Sequence, residues 1–115
     1  MAPVPIRLKH RAEFLLVAAR GRKTAMPGLV LQVLQRGDDG PLRLGFTVTR
    51  KVGNAVVRNR TRRRLKEAAR LLLREHPASG ADLVVVGRDS TRTRDFALLM
   101  QDLRKAMEKS GLAGQ

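Results

Sequence analysis

The strongest constraint on this chain is a segment, residues 40–66, that concentrates positive charge and contains no acid. Its nine basic residues supply most of the net charge of +14, leaving +5 for the other 88 residues. These basic residues are Arg43, Arg50, Lys51, Arg58, Arg60, Arg62, Arg63, Arg64 and Lys66. Because like charges repel one another in a compact fold, such a segment suits a surface that faces a dense polyanion. The sequence therefore predicts a cationic patch and a nucleic-acid partner.

Length and composition predict one domain. With 115 residues, 43% of them hydrophobic, the chain can bury a core of modest size. We expect the domain to span residues 1–115, with loosely ordered tails at 1–6 and 110–115. The lack of cysteine excludes disulfides and thiolate zinc sites and favours a cytoplasmic protein. No apolar run is long enough to predict a membrane span, and no protein partner is evident.

Three segments have the composition of β-strands. Residues 29–34 are apolar and rich in strand formers, and the turn signal at 37–41 predicts a hairpin with the next strand. Residues 42–49 alternate, which predicts one packed face and one face free to meet a partner. The packed face is Leu42, Leu44, Phe46 and Val48, and the other face is Arg43, Gly45, Thr47 and Thr49. The apolar run within residues 82–87, DLVVVG, predicts a strand that is buried on both sides or central in its sheet.

Two shorter helices are predicted near the ends of the chain. Phe14, Val17 and Ala18 have helical spacing within residues 10–20. A last helix is expected after Thr93, which we predict to be its N-terminal cap. Its core-facing residues are predicted to be Phe96, Leu99, Leu103, Ala106 and Met107.

The basic segment leads into a long helix that is expected to run from Asn54 to about Glu75, before Pro77. Its inward stripe is Val57, Thr61, Leu65, Ala68 and Leu72. A second stripe, which we call the cationic stripe, repeats at four-residue intervals and consists of Arg58, Arg62, Lys66 and Arg70. The helix start at Asn54 suits a phosphate, although capping alone explains this residue equally well.

The sequence predicts a helix, then two or three strands, then a helix, a strand and a helix, and the order we expect is α-β-β-β-α-β-α. Such a mixture on one small core predicts an α+β two-layer sandwich, in which the helices cover one face of a mainly antiparallel, four-stranded sheet.

The basic helix combines two features that argue for an external ligand. Five arginines fall within residues 58–64, whereas ordinary exposed helices intersperse acids for pairing. Asn59 is a poor helix former among good ones, which indicates a polar contact.

No residue is predicted to be catalytic or metal-binding. His10 and His76 lie outside any recognisable catalytic cluster, and the acids form no obvious metal cage. No phosphate-binding loop for nucleotide hydrolysis is present. Three phenylalanines are the only aromatic residues, too few for a sheet that stacks several bases.

Residues 46–66, FTVTRKVGNAVVRNRTRRRLK, closely resemble the signature of the bacterial ribonuclease P protein family. The resemblance extends upstream through Arg7-Leu8, Phe14, Gly21 and 43–46, and downstream through 82–86. It implies a left-handed crossover that joins two parallel strands through the basic helix. It also implies a holoenzyme in which a catalytic RNA, with bound Mg²⁺, hydrolyses precursor tRNA to remove its 5′ leader. The implied partners are ribonuclease P RNA and precursor tRNA.

The resemblance assigns roles to residues at matching positions. The RNA-contacting motif corresponds to Arg58, Asn59, Arg60, Arg62, Arg63 and Lys66, approached by Arg50 and Lys51. The leader cleft corresponds to Phe14, Ala18, Gln32, Thr47 and Thr49. The family often has an aromatic residue where Ala18 and Gln32 stand, so weaker base stacking is expected at these two positions.

Two other classes of protein share some of these features. A structural RNA-binder, such as a ribosomal protein, would have the same charge, size and lack of catalytic groups. A sequence-specific DNA-binder would need a recognition helix with varied base-reading side chains, whereas this helix is almost uniformly cationic. The long signature favours ribonuclease P.

Overall fold

The computed structural model describes residues 4–112 and has three α-helices around one five-stranded sheet. The strands are β1 (Ile6–Arg7), β2 (Arg22–Ala25), β3 (Leu29–Gln35), β4 (Arg43–Val48) and β5 (Ala81–Gly87). The helices are α1 (Arg11–Arg20), α2 (Ala55–Glu75) and α3 (Phe96–Lys109). Two short 3₁₀ turns, Arg50–Val52 and Asp89–Arg92, precede α2 and α3.

The sheet is mixed, with the strand order β1-β4-β5-β3-β2. β4 is parallel to β1 and to β5, whereas β3 is antiparallel to β5 and to β2. The predicted four-stranded, mainly antiparallel sheet is therefore wrong. The additional strand, β1, has only two residues, which is too short for an alternating pattern to show in the sequence.

The helices cover both faces of the sheet, which corrects the predicted two-layer arrangement. Leu83 and Val85 of β5 belong to the main core with α2 and α3. Val84, which points the other way, packs with Val17 of α1 and with Leu8. Alternation along β5 explains this division, since successive side chains of a strand point to opposite faces. Because both faces of β5 are covered, residues 83–86 are all apolar, and the predicted central position of this strand is confirmed.

The start of the long helix agrees with its prediction, and the start of the last helix does not. The Asn54 side chain accepts a hydrogen bond from the Val57 amide (3.0 Å) and caps α2. α3 is capped by Asp95, whose carboxylate accepts from the Leu98 amide. The predicted cap, Thr93, instead directly follows the second 3₁₀ turn, so the helix begins later than expected.

The predicted loose tails lie partly outside the described residues. Within the described part, Ile6 pairs with Arg43 in the sheet, and Leu112 is buried. None of the described helices is both long enough and apolar enough to cross a membrane.

Candidate nucleic-acid interface

The long helix separates an apolar side from a cationic side, as predicted. Thr61, Leu65, Ala68 and Leu72 are buried, and Val57 packs at the edge of the core. Ala69, which the sequence pattern did not single out, is also buried. In the cationic stripe, Arg58, Arg62 and Lys66 are half-buried and Arg70 is exposed.

Two residues of the cationic stripe have partners on α2 itself. Arg62 donates a hydrogen bond to the side-chain oxygen of Asn59 (2.9 Å), so this asparagine has a polar partner within α2, and its contact with RNA stays a prediction. Arg70 forms an ion pair with Glu67 (2.5 Å) and so is partly neutralised. Arg62 is thus oriented without losing its charge.

Lys66 shows how crowded the positive charge is. Partial burial lowers the pKa of its ammonium group, and repulsion by Arg7, Arg62 and Arg63 lowers it further. A bound anion would oppose this repulsion. The remaining predicted RNA-contacting residues, Arg50, Lys51, Arg60 and Arg63, are exposed.

An open cleft of about 590 Å³ lies between α1 and the sheet. It brings together all five residues predicted for the leader cleft, Phe14, Ala18, Gln32, Thr47 and Thr49. The strand register explains why four of the lining residues meet on one face: Gln32 of β3 pairs with Val84 of β5, and Thr47 of β4 pairs with Val86 of β5. Arg62 also lines the cleft, so the cleft is continuous with the cationic stripe.

Sequence reasoning missed two further cleft residues on α1. Arg11 and Leu15 line the cleft, and Leu15 is 55% exposed. Their spacing from Phe14 and Ala18 on α1 is the only signal in the sequence, and it becomes informative only when the inward face of α1 is known. Arg11 adds a second guanidinium to a surface that Arg62 already makes positive.

Gly45 determines how closely α1 approaches the sheet. A Cβ atom at this position would overlap the Phe14 ring and also approach Leu8. The aromatic ring therefore rests directly on the β4 backbone. The alternation in residues 42–49 put Gly45 on the face that was predicted to be free to meet a partner, whereas Phe14 of α1 packs against Gly45 on that face.

A buried ion-pair network holds α1 beside the cleft. Asp82, almost fully buried, accepts hydrogen bonds from Arg43 and Arg36, each with a shortest N–O distance of 2.6 Å. Arg43 also bonds Glu13 of α1. Burial raises the pKa of the Asp82 carboxyl, but the hydrogen bonds from Arg43 and Arg36 outweigh this effect and lower it. Arg43 therefore has a partner inside the fold.

Comparison with known proteins identifies the family. The family model described as Ribonuclease P matches residues 3–111. The chain belongs to the ribonuclease P protein family. The "Ribonuclease P protein component" of Gluconacetobacter diazotrophicus is 63% identical over 114 residues, covering 99% of this chain and 98% of the relative. That of Paramagnetospirillum magneticum is 51% identical, covering 91% and 82%. The predicted family is confirmed, and the alternative of a ribosomal protein is wrong.

Solved structures of ribonuclease P proteins share the fold. The protein from Staphylococcus aureus superposes with a TM-score of 0.78 at 22% identity, covering 94% of this chain and 97% of that one. The protein from Thermotoga maritima gives a TM-score of 0.69 at 30% identity, covering 90% and 96%. The five-stranded mixed sheet and its three helices are therefore the architecture of this family.

Proposed function

We propose that the protein joins ribonuclease P RNA through α2 and holds the single-stranded 5′ leader of precursor tRNA in the cleft. The observation that carries the leader assignment is the convergence of all five predicted cleft residues beside Arg62, from three separate segments: α1, β3, and β4 with the residue that follows it. A cationic helix that borders a groove with an aromatic side chain suits single-stranded RNA, which presents phosphates and unstacked bases together.

The cleft offers a contact for each part of a nucleotide. The ring of Phe14 can stack on a base, while the hydroxyl of Thr47 and the amide of Gln32 can exchange hydrogen bonds with base edges or ribose. Arg11 and Arg62 supply positive charge for the phosphates. This arrangement binds and orients the leader, so that the bond to be cleaved is held in place.

The chemistry itself is assigned to the RNA subunit. Mg²⁺ held by that RNA would supply Lewis-acid chemistry for hydrolysis of the phosphodiester bond. Within residues 4–112, no three His, Asp or Glu side chains are grouped in a way that fits a metal ion. The part of this chain is to bind the leader and bring it to the RNA.

Replacement of Ala18 by phenylalanine tests the leader assignment. Ala18 is only partly buried and lies one helical turn beyond Phe14 in an open cleft. An added ring should stack on a leader base and tighten binding of precursor tRNA by about 1–3 kcal/mol. Mature tRNA, which has no leader, should bind as before. The measurement is the affinity of the reconstituted holoenzyme for both RNAs.

Ala19→Phe is the matched control, because Ala19 is the exposed neighbour on α1 and is not among the cleft-lining residues. It should leave both affinities unchanged. If Ala18→Phe lowered the thermal midpoint of the free protein and did not selectively tighten precursor binding, position 18 would be a packing site, and the leader would lie elsewhere.

A further inference from the structure

A second cationic pocket lies on the other flank of α2. It has a volume of about 180 Å³ and is formed by the first half of α2 and the second 3₁₀ turn. Its polar lining consists of Arg60, Arg64, Arg92 and the adjacent Thr93, together with Thr61. Arg62 faces the leader cleft, so α2 presents guanidinium groups to a concave surface on each side.

The charge of this pocket is incompletely neutralised. Within residues 4–112, neither Arg60 nor Arg64 forms an ion pair, and Arg92 is paired only with the exposed carboxylate of Asp89 (3.0 Å). Arg64 donates to the carbonyl oxygen of Arg94, while its Nε is buried without a hydrogen-bond partner among the described residues. Three guanidinium groups around one carboxylate leave an excess of positive charge.

The wall of the pocket opposite α2 is held in place before any ligand binds. Thr91 is fully buried and donates to the carbonyl oxygen of Gly28 (2.5 Å), and Ser90 donates to that of Pro27 (2.5 Å). Arg94 forms an ion pair with the buried Asp102 (2.6 Å), which also accepts from the Gly28 amide. These contacts fix the turn on both sides of Arg92, so a ligand would not have to order it.

We propose that this pocket binds a backbone phosphate of RNA at a site separate from the leader cleft and from the cationic stripe. Guanidinium groups recognise phosphate through paired, charge-assisted hydrogen bonds, and the Thr93 hydroxyl adds a neutral donor. That the phosphate belongs to RNA rests on the proposed function, whereas anion binding by the pocket does not. RNA would then contact α2 on both sides, at the leader cleft and at this pocket.

The first test uses inorganic phosphate and the free protein. Phosphate should shift the backbone amide resonances of residues 92–94 in a saturable way. Arg92→Ala should weaken that response by roughly tenfold, because it removes a charge-assisted interaction. Asp89→Asn should strengthen it, since it releases Arg92 from a competing carboxylate. Arg92 is exposed, so these variants test the site without disturbing the packed Arg64.

Arg104→Ala is the matched control. Arg104 is an exposed arginine that pairs with Glu108 on its own helix, as Arg92 pairs with Asp89 in its turn. Its removal changes the net charge equally and should leave the phosphate response unchanged.

The second test asks which RNA supplies the phosphate. Arg92→Ala should reduce the salt dependence of one binding step by about one unit of slope. A reduction in binding to ribonuclease P RNA assigns the phosphate to that RNA, and a reduction confined to precursor and mature tRNA on the holoenzyme assigns it to the substrate. Unchanged binding of all three RNAs, with or without a phosphate response, overturns the proposal. Cleavage of precursor tRNA by the holoenzyme that contains the wild-type protein tests the proposed function separately.

Discussion

Arg62 and Arg70 lie on the same stripe of α2 but differ in how free their charges are. Arg62 is held by the neutral Asn59, whereas Arg70 is paired with Glu67. Arg62→Ala should therefore weaken binding to ribonuclease P RNA and reduce the salt slope by about one, as expected for one lost phosphate contact. Arg70→Ala should have a smaller effect, because the ion pair between Arg70 and Glu67 must break before Arg70 can bind a phosphate.

Titrations at several salt concentrations measure both quantities, with Arg74→Ala as an exposed control at the far end of the helix. Equal slopes for the wild type and Arg62→Ala would remove Arg62 from the RNA interface. Asn59→Ala adds a check on orientation. If Asn59 acts only through Arg62, the double variant should bind as Arg62→Ala does.

Residue spacing predicted much of this surface. The interval of four residues placed Arg58, Arg62 and Lys66 on one face without knowledge of the fold. The partners of Asn59 and Arg70 were not predictable with the same precision, because each depends on which of several side-chain conformations is adopted. The pairing of Arg43 with Asp82 was missed, since the two residues are 39 positions apart in the sequence.

At the scale of elements, the packing of α1 on β4 depends on Gly45. Gly45→Ala places a methyl group where the Phe14 ring lies. Overpacking of this kind typically costs about 1–3 kcal/mol, and the displaced ring should also weaken leader binding. Chemical denaturation and precursor tRNA affinity measure the two effects. In a double-mutant cycle with Phe14→Leu, the two losses of stability should be less than additive, whereas strict additivity would mean that the residues do not contact each other.

The network around Asp82 links α1 to the sheet in a pH-dependent way. Because its folded-state pKa is lowered, Asp82 contributes stability that is fully present above its unfolded pKa of about 3.9 and is lost as the pH falls through the lower folded value. Asp82→Asn should destabilise the protein by about 3 kcal/mol at pH 7, since it leaves Arg36 and Arg43 without their buried partner.

The difference in unfolding free energy between Asp82→Asn and the wild type should narrow as the pH falls below about 4. Denaturant titrations of both proteins between pH 7 and pH 2.5 measure this difference. Glu13 also has a lowered pKa, mainly through a hydrogen bond from the His10 backbone, so Glu13→Gln is the comparison variant. Glu13 is more exposed, and its variant should cost less. A difference for Asp82→Asn that stayed constant over the whole pH range would contradict this account.

Elements with a long stripe or an unbroken apolar run in the sequence were predictable, and the two-residue strand β1 was not. α2 and β5 follow from patterns extending over 21 and 7 residues. The prediction missed that α1 packs on the face of the sheet opposite α2 and α3. The pattern of α1 shows which side of the helix is apolar, but it does not show which face of the sheet that side contacts. The five cleft positions came from family resemblance, and their meeting in one groove depends on strand register, which spacing alone does not determine.

For the whole molecule, the net charge of +14 opposes folding and favours RNA binding. Added salt should therefore act with opposite signs on these two processes. It weakens RNA binding, because the release of counterions from the RNA gains less entropy when the surrounding solution already contains more salt. It should stabilise the free protein, because it screens repulsion among the exposed arginines of α2.

The sign of the stability effect depends on which charges the salt reaches. The Debye length falls from about 10 Å at 0.1 M to about 3 Å at 1 M, and buried pairs are screened much less than exposed charges. The attraction around Asp82 is buried, whereas Arg60 and Arg63 are exposed and surrounded by like charge. Salt should therefore screen the repulsion among exposed arginines before it screens the buried attraction around Asp82. The thermal midpoint should then rise with the concentration of sodium chloride. Arg63→Gln should flatten that rise. A midpoint that fell with salt would show that attractive pairs dominate the charge balance of the fold.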